Sequence, residues 1–147
     1  MRYGLGMILF CVTALFNGVT LAQDVSVSEL KAKGAKVLSA DELKNVLSGA
    51  QVRYENAQYQ TQMKLNSDGT LNGRSESTAG ASSATRDLGY DGEWTITDGR
   101  WCGVTRRRGA ELSKYCRDVL KLNDAYYYAE GNRKDDRRRA TKMSISK

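Results

Sequence analysis

The stretch Gln58-Tyr59-Gln60-Thr61-Gln62-Met63-Lys64-Leu65, followed by Asn66-Ser67-Asp68-Gly69-Thr70, decides the fold. Tyr59, Thr61, Met63 and Leu65 alternate with three glutamines and a lysine, and a period of two is the mark of a strand with one wet face. Asp68-Gly69 supplies the positive φ angle of a tight hairpin, so Thr70 to Glu76 reads as the returning strand. The pattern recurs downstream. Glu93 to Thr97 alternates with Trp94 and Ile96 inward, and Asp98-Gly99 turns the chain. Arg100 to Thr105 returns, with Cys102 and Val104 on one face and Trp101 on the other. Lys114 to Leu122, Ala125 to Ala129 and Ala140 to Ile145 read as further strands. Upstream, Ser39 and Glu42 have capping-box spacing, Leu43, Val46 and Leu47 share a helical face, and Gly49 suits a C-cap. These signals predict a mainly β fold: a small antiparallel β-barrel or sandwich with one short N-terminal helix packed on it.

Outward from this core, residues 1–22 have the layout of a secretory signal peptide. Arg2 is followed by an apolar stretch from Leu5 to Phe16 and by small residues at Thr20 and Ala22. An uncleaved anchor over Tyr3 to Ala22 is the alternative. Residues 23–38 are expected to be a flexible lead-in, with some helix around Ser28 to Ala35, and 39–147 a single β-rich domain. The Ser/Ala/Thr/Gly-rich stretch 77–88 reads as a flexible loop. Cleavage removes Arg2 and Cys11 and takes the formal charge from +6 to +5. Cys102 and Cys116 then form an even pair in an oxidising compartment, so a disulfide is expected, in a periplasmic or secreted protein with no membrane span once the signal is removed. In the chain-entropy picture such a bridge contributes about 3 kcal/mol.

The capped helix ending Leu47-Ser48-Gly49, then Asp68-Gly69-Thr70, Gly92-Glu93-Trp94, Asp98-Gly99-Arg100-Trp101-Cys102 and Cys116, resembles a group of exported proteobacterial domains of unknown function. The resemblance covers Leu38 to Ala129; it implies a periplasmic barrel-like domain and no catalytic residue. Periplasmic lysozyme inhibitors are similar in architecture only, and a chain at +5 would be repelled by a cationic lysozyme.

Chemistry is sparse. The chain has no histidine, the commonest general base and metal ligand, and no P-loop, dinucleotide fingerprint or nucleophile elbow. A non-enzymatic role is expected, without cofactor or metal. Two basic clusters stand out: Arg106, Arg107 and Arg108, and then Arg137, Arg138 and Arg139 beyond Arg133 and Lys134. Together with Trp101, Tyr126 and Tyr128 they are the candidate binding residues. Their guanidinium forks suit an anionic lipid, lipopolysaccharide or glycan, or an envelope protein, and the compartment disfavours nucleic acid. The expectation is an envelope-associated binding module. A lipocalin-like carrier of a small ligand is the alternative. A carrier needs a cavity in the barrel, whereas a surface binder needs a filled core and a contiguous basic patch. Trp94, Met63 and Tyr59, all read as inward, favour a filled core.

Overall fold

The computed structural model describes residues 25–77 and 88–147; the expected signal and residues 78–87 of the expected loop lie outside this range. In chain order the elements are β1 (Val25–Ser26), α1 (Val27–Ala32), β2 (Lys36–Val37), α2 (Ala40–Leu47), β3 (Gln51–Glu55), β4 (Tyr59–Leu65), β5 (Thr70–Ser77), β6 (Leu88–Thr97), β7 (Arg100–Arg107), β8 (Ala110–Leu122), β9 (Ala125–Ala129) and β10 (Arg139–Ser146).

Each strand from β3 to β10 pairs antiparallel with the next, and β10 pairs back onto β3 through Met143–Tyr54 and Ile145–Val52. The result is a closed eight-stranded barrel. Closure removes the exposed edges, and a barrel of eight strands has an interior just wide enough for side chains or one small ligand. The turns follow local chemistry. Asp98 and Gly99, and Arg108 and Gly109, take positive φ at both positions, the geometry of two-residue hairpins.

One end of the barrel is plugged. The α2 capping box forms as expected: Glu42 N–H donates to Ser39 Oγ, and Ser39 N–H donates to Glu42 Oε2 at 2.8 Å. An eight-residue helix is marginal alone, so its stability comes from Leu43 and Leu47, both fully buried in the core with Leu65, Leu71 and Trp94. Full burial of each leucine contributes about 2 kcal/mol. The Trp94 indole N–H donates to Asn66 O at 2.9 Å, tying β6 to the β4–β5 turn at this end.

One expectation changes. There are two helices, not one, and from Val25 the chain forms β1, α1 and β2. Ser26 and Glu29 form a second capping box at the start of α1. Val27 and Leu30 pack on Leu120, Ala129 and Ala140, which face outward from β8, β9 and β10. The two alanines leave room for the helix. β1 pairs with β10 and β2 with β8, so this segment straps across the outer wall behind β9. A further strand, β3, precedes the one from which the sequence was read.

Cys102 and Cys116 are direct cross-strand partners and form the expected disulfide, with Cα atoms 4.0 Å apart. The bridge lies on the outer wall. Alternation therefore sends Trp101, Tyr115 and Arg117 into the barrel. Among the described residues, no helix is long and apolar enough to cross a membrane.

Candidate functional site at the barrel mouth

The end opposite α2 is open. It holds a cavity of about 570 Å³ whose wall includes Tyr54, Tyr90, Tyr115, Arg117 and Tyr128, with Tyr59, Arg107, Leu112 and Arg139 nearer the rim. A β-bulge in the β7–β8 ladder shapes one lip: Thr105 pairs with Ser113 and Arg106 with Glu111, leaving Leu112 as the extra residue. Leu112 lines the cavity while remaining 54% exposed. Bulges at barrel rims re-aim side chains in this way.

Arg117 lies at the base of the cavity and is only 7% exposed. Its guanidinium carbon is 4.2 Å from the centre of the Tyr115 ring, 4.3 Å from Tyr128, 5.1 Å from Tyr54 and 5.2 Å from Trp101. Arg117 Nε donates to Glu130 Oε1 at 2.7 Å, and both terminal nitrogens donate to Tyr54 Oη at 3.3 Å. Burial works against the charge on Arg117, but Tyr54, Glu130, Tyr128 and Tyr115 outweigh it and hold the guanidinium protonated. Burial also pushes the hydroxyls of Tyr90, Tyr115 and Tyr128 above their ordinary value, so they stay neutral donors. The Tyr115 hydroxyl has no hydrogen-bond partner among the described residues.

Small residues make the ring packing fit. Gly103 lies between Trp94 and Tyr115 in the ladder, and Gly73 between Met63 and Tyr90. A Cβ on Gly103 would sit 2.5 Å from Tyr115 Oη, and one on Gly73 would sit 2.6 Å from Tyr90 Oη. Only glycine lets these tyrosines fold flat across the sheet.

The expected binding residues divide. Arg107, Arg139 and Tyr128 line the cavity, and Arg108 sits in the adjacent turn. Trp101, expected in an outward patch, is 0% exposed inside the barrel, because the disulfide took the outer face. Tyr126 packs partly on the core, with Lys121 Nζ 5.6 Å from its ring centre. Arg106 faces Glu93 at 3.6 Å, and Arg137 is held by Asp135. Arg138 is largely buried against Asp118, at 2.9 Å, and is structural. One arginine of each cluster, Arg107 and Arg139, thus reaches the mouth, while Arg106, Arg137 and Arg138 pair with acidic groups. Tyr59, expected as core filling, is an exposed rim residue.

The sequence reading missed Arg117 and Glu130. A usable signal was present: if Cys116 faces out, Tyr115, Arg117 and Val119 must face in together.

Comparison with protein-family models, with curated proteins and with solved structures found no match.

Proposed function

We propose that this protein is a non-catalytic binding barrel of the periplasm or extracellular space that holds a small organic ligand in its mouth. The observation behind this reading is the half-filled interior. Trp94, Leu65, Leu71 and α2 pack the closed end, whereas the open end keeps a tyrosine-lined cavity of about 570 Å³. That volume falls in the range of small-molecule sites, and the mix of ring faces with a few buried polar groups is their usual composition. The cavity supports the carrier reading over a surface rim. Of the arginines that would make such a rim for lipid, lipopolysaccharide, glycan or an envelope protein, Arg106, Arg137 and Arg138 are engaged by acidic groups of the protein itself.

The test is a titration with the neutral fluorophore N-phenyl-1-naphthylamine. Saturable enhancement at one site is expected, abolished by Ser75→Phe, which fills the cavity from β5. Enhancement that never saturates, or that survives Ser75→Phe unchanged, would show that the cavity is not a ligand site.

A further inference from the structure

The chemistry at the base of the cavity specifies a class of ligand; this step rests on the mouth-cavity reading. Arg117 carries a full charge at a depth where charge is costly. A guanidinium has five N–H donors. Among the described residues one goes to Glu130 and two converge on the single Tyr54 hydroxyl at the long distance of 3.3 Å. Glu130 supplies one oxygen, to Nε, and does not grip the fork with both. Carboxylates bind such forks best with two parallel bonds, so the present pairing is incomplete.

Glu130 is also poorly committed. It lies just beyond β9, and its side chain is 53% exposed although its partner is buried. Moving its carboxylate fully into water costs little. Leaving Arg117 without an anion would cost much more. A second carboxylate entering through the mouth solves this: one anion leaves for solvent as another takes its place.

We infer that the ligand is an amphiphilic carboxylate, bound head-down, whose carboxylate replaces Glu130 on Arg117. The remainder of the ligand then lies along Met63, Tyr90 and Leu112 towards the opening. Tyr115, whose buried hydroxyl lacks a partner among the described residues and whose ring lies against the guanidinium, adds a donor at the head. Glu130 is thus an internal stand-in for the ligand head and competes with it. The ligand carboxylate can take the fork with two parallel bonds where Glu130 makes one, so head exchange favours the ligand, and burial of the apolar body adds the rest of the affinity. A tethered competitor acts at millimolar effective concentration, so its removal strengthens carboxylate binding by about tenfold or more.

The experiment uses three probes with the same tail, dodecanoate, dodecanol and dodecyltrimethylammonium, displacing N-phenyl-1-naphthylamine from the wild type and from Glu130→Gln. Dodecanoate is expected to bind about tenfold or more tightly than dodecanol in the wild type. Glu130→Gln should tighten dodecanoate by a further tenfold and leave dodecanol unchanged. Equal binding of dodecanoate and dodecanol in both proteins would overturn the carboxylate assignment while the cavity reading stands. A gain for both probes in Glu130→Gln would mean that the ion pair bars the cavity to any ligand, and would overturn the role of Glu130 as stand-in for a carboxylate. Preference for the ammonium probe would reverse the sign of the site. Failure of the naphthylamine itself to bind would instead count against the cavity reading.

Discussion

Arg117 and Asp118 are neighbours in the chain, both buried, and they point to opposite sides of one strand. Asp118, on the outer wall, is 1% exposed and meets three arginines: Arg138 at 2.9 Å, Arg133 at 3.1 Å and Arg100 at 3.5 Å. Arg133 also donates to Asp98 O, and Arg138 to Asp135 O, so this carboxylate pins the segment 130–138 over β7 and β8. Arg117, on the inner wall, has one half-exposed carboxylate and four ring faces. A buried carboxylate that accepts from Arg138 at 2.9 Å and has two further guanidinium groups beside its other oxygen has little freedom to exchange partners. A charge held by rings and one loose anion has more. The contrast separates a structural ion cluster from a site.

The largest effect should come from breaking the outer cluster. Asp118→Asn leaves three guanidinium groups converging on a neutral amide, and removing one member of a buried ion cluster costs about 3–5 kcal/mol. The denaturation midpoint in urea should fall accordingly. A midpoint within error of the wild type would show that the arginines simply turn out to water, and the contrast with Arg117 would lose its basis. The disulfide comes next. It joins β7 to β8 at the residue before Arg117, and its loss in the Cys102→Ala, Cys116→Ala double variant should cost about 3 kcal/mol. Cross-strand hydrogen bonds already hold these strands, so a smaller loss would show that the ladder, not the bridge, fixes the height of Arg117.

The same contrast explains what the sequence made legible. Alternation over Gln58–Leu65, the Asp-Gly turns and the paired cysteines are local signals, and the structure bears them out in the barrel, the hairpins and the bridge. Ser26-Val27-Ser28-Glu29 carries the same capping signature as Ser39 to Glu42, yet α1 becomes a helix of the fold only because Leu120, Ala129 and Ala140 wait for it on the barrel wall. The site was hidden for two reasons. Which face of β7 is core depends on where the disulfide lies, and a bridge on the outer wall inverts the natural guess for Trp101. The cage itself is non-local: Tyr54 reaches Arg117 across 63 residues of chain, and only closure of β10 onto β3 brings them together. Arg138 looked like part of a rim because its acidic partner, Asp118, lies 20 residues away in the chain.

High pH gives a way to sharpen the comparison without mutation. The hydroxyls of Tyr90, Tyr115 and Tyr128 are held protonated above the ordinary value near 10. Above that value the unfolded chain releases these protons while the folded one keeps them. The folded state then binds more protons, so this contribution to stability is complete below pH 10 and is lost as pH rises further. In a titration followed at 295 nm, these three buried tyrosines should ionise only as near-ultraviolet dichroism is lost. Smooth titration of these three near pH 10 with the fold intact would mean that water reaches them freely.

The smallest stability effect is the most informative. Arg117→Met replaces the caged guanidinium with an apolar chain of similar length, against rings that pack on sulfur well. Glu130 loses its partner but is already half in water, so no buried charge is left uncompensated. Replacing buried ion pairs with apolar groups is often neutral or better, and the expected change is within about 1 kcal/mol. The urea midpoint should therefore barely move, while dodecanoate loses its advantage over dodecanol. If Arg117→Met unfolds as readily as Asp118→Asn, the inner arginine is a structural element like its outer neighbour, and the two faces of β8 do the same job.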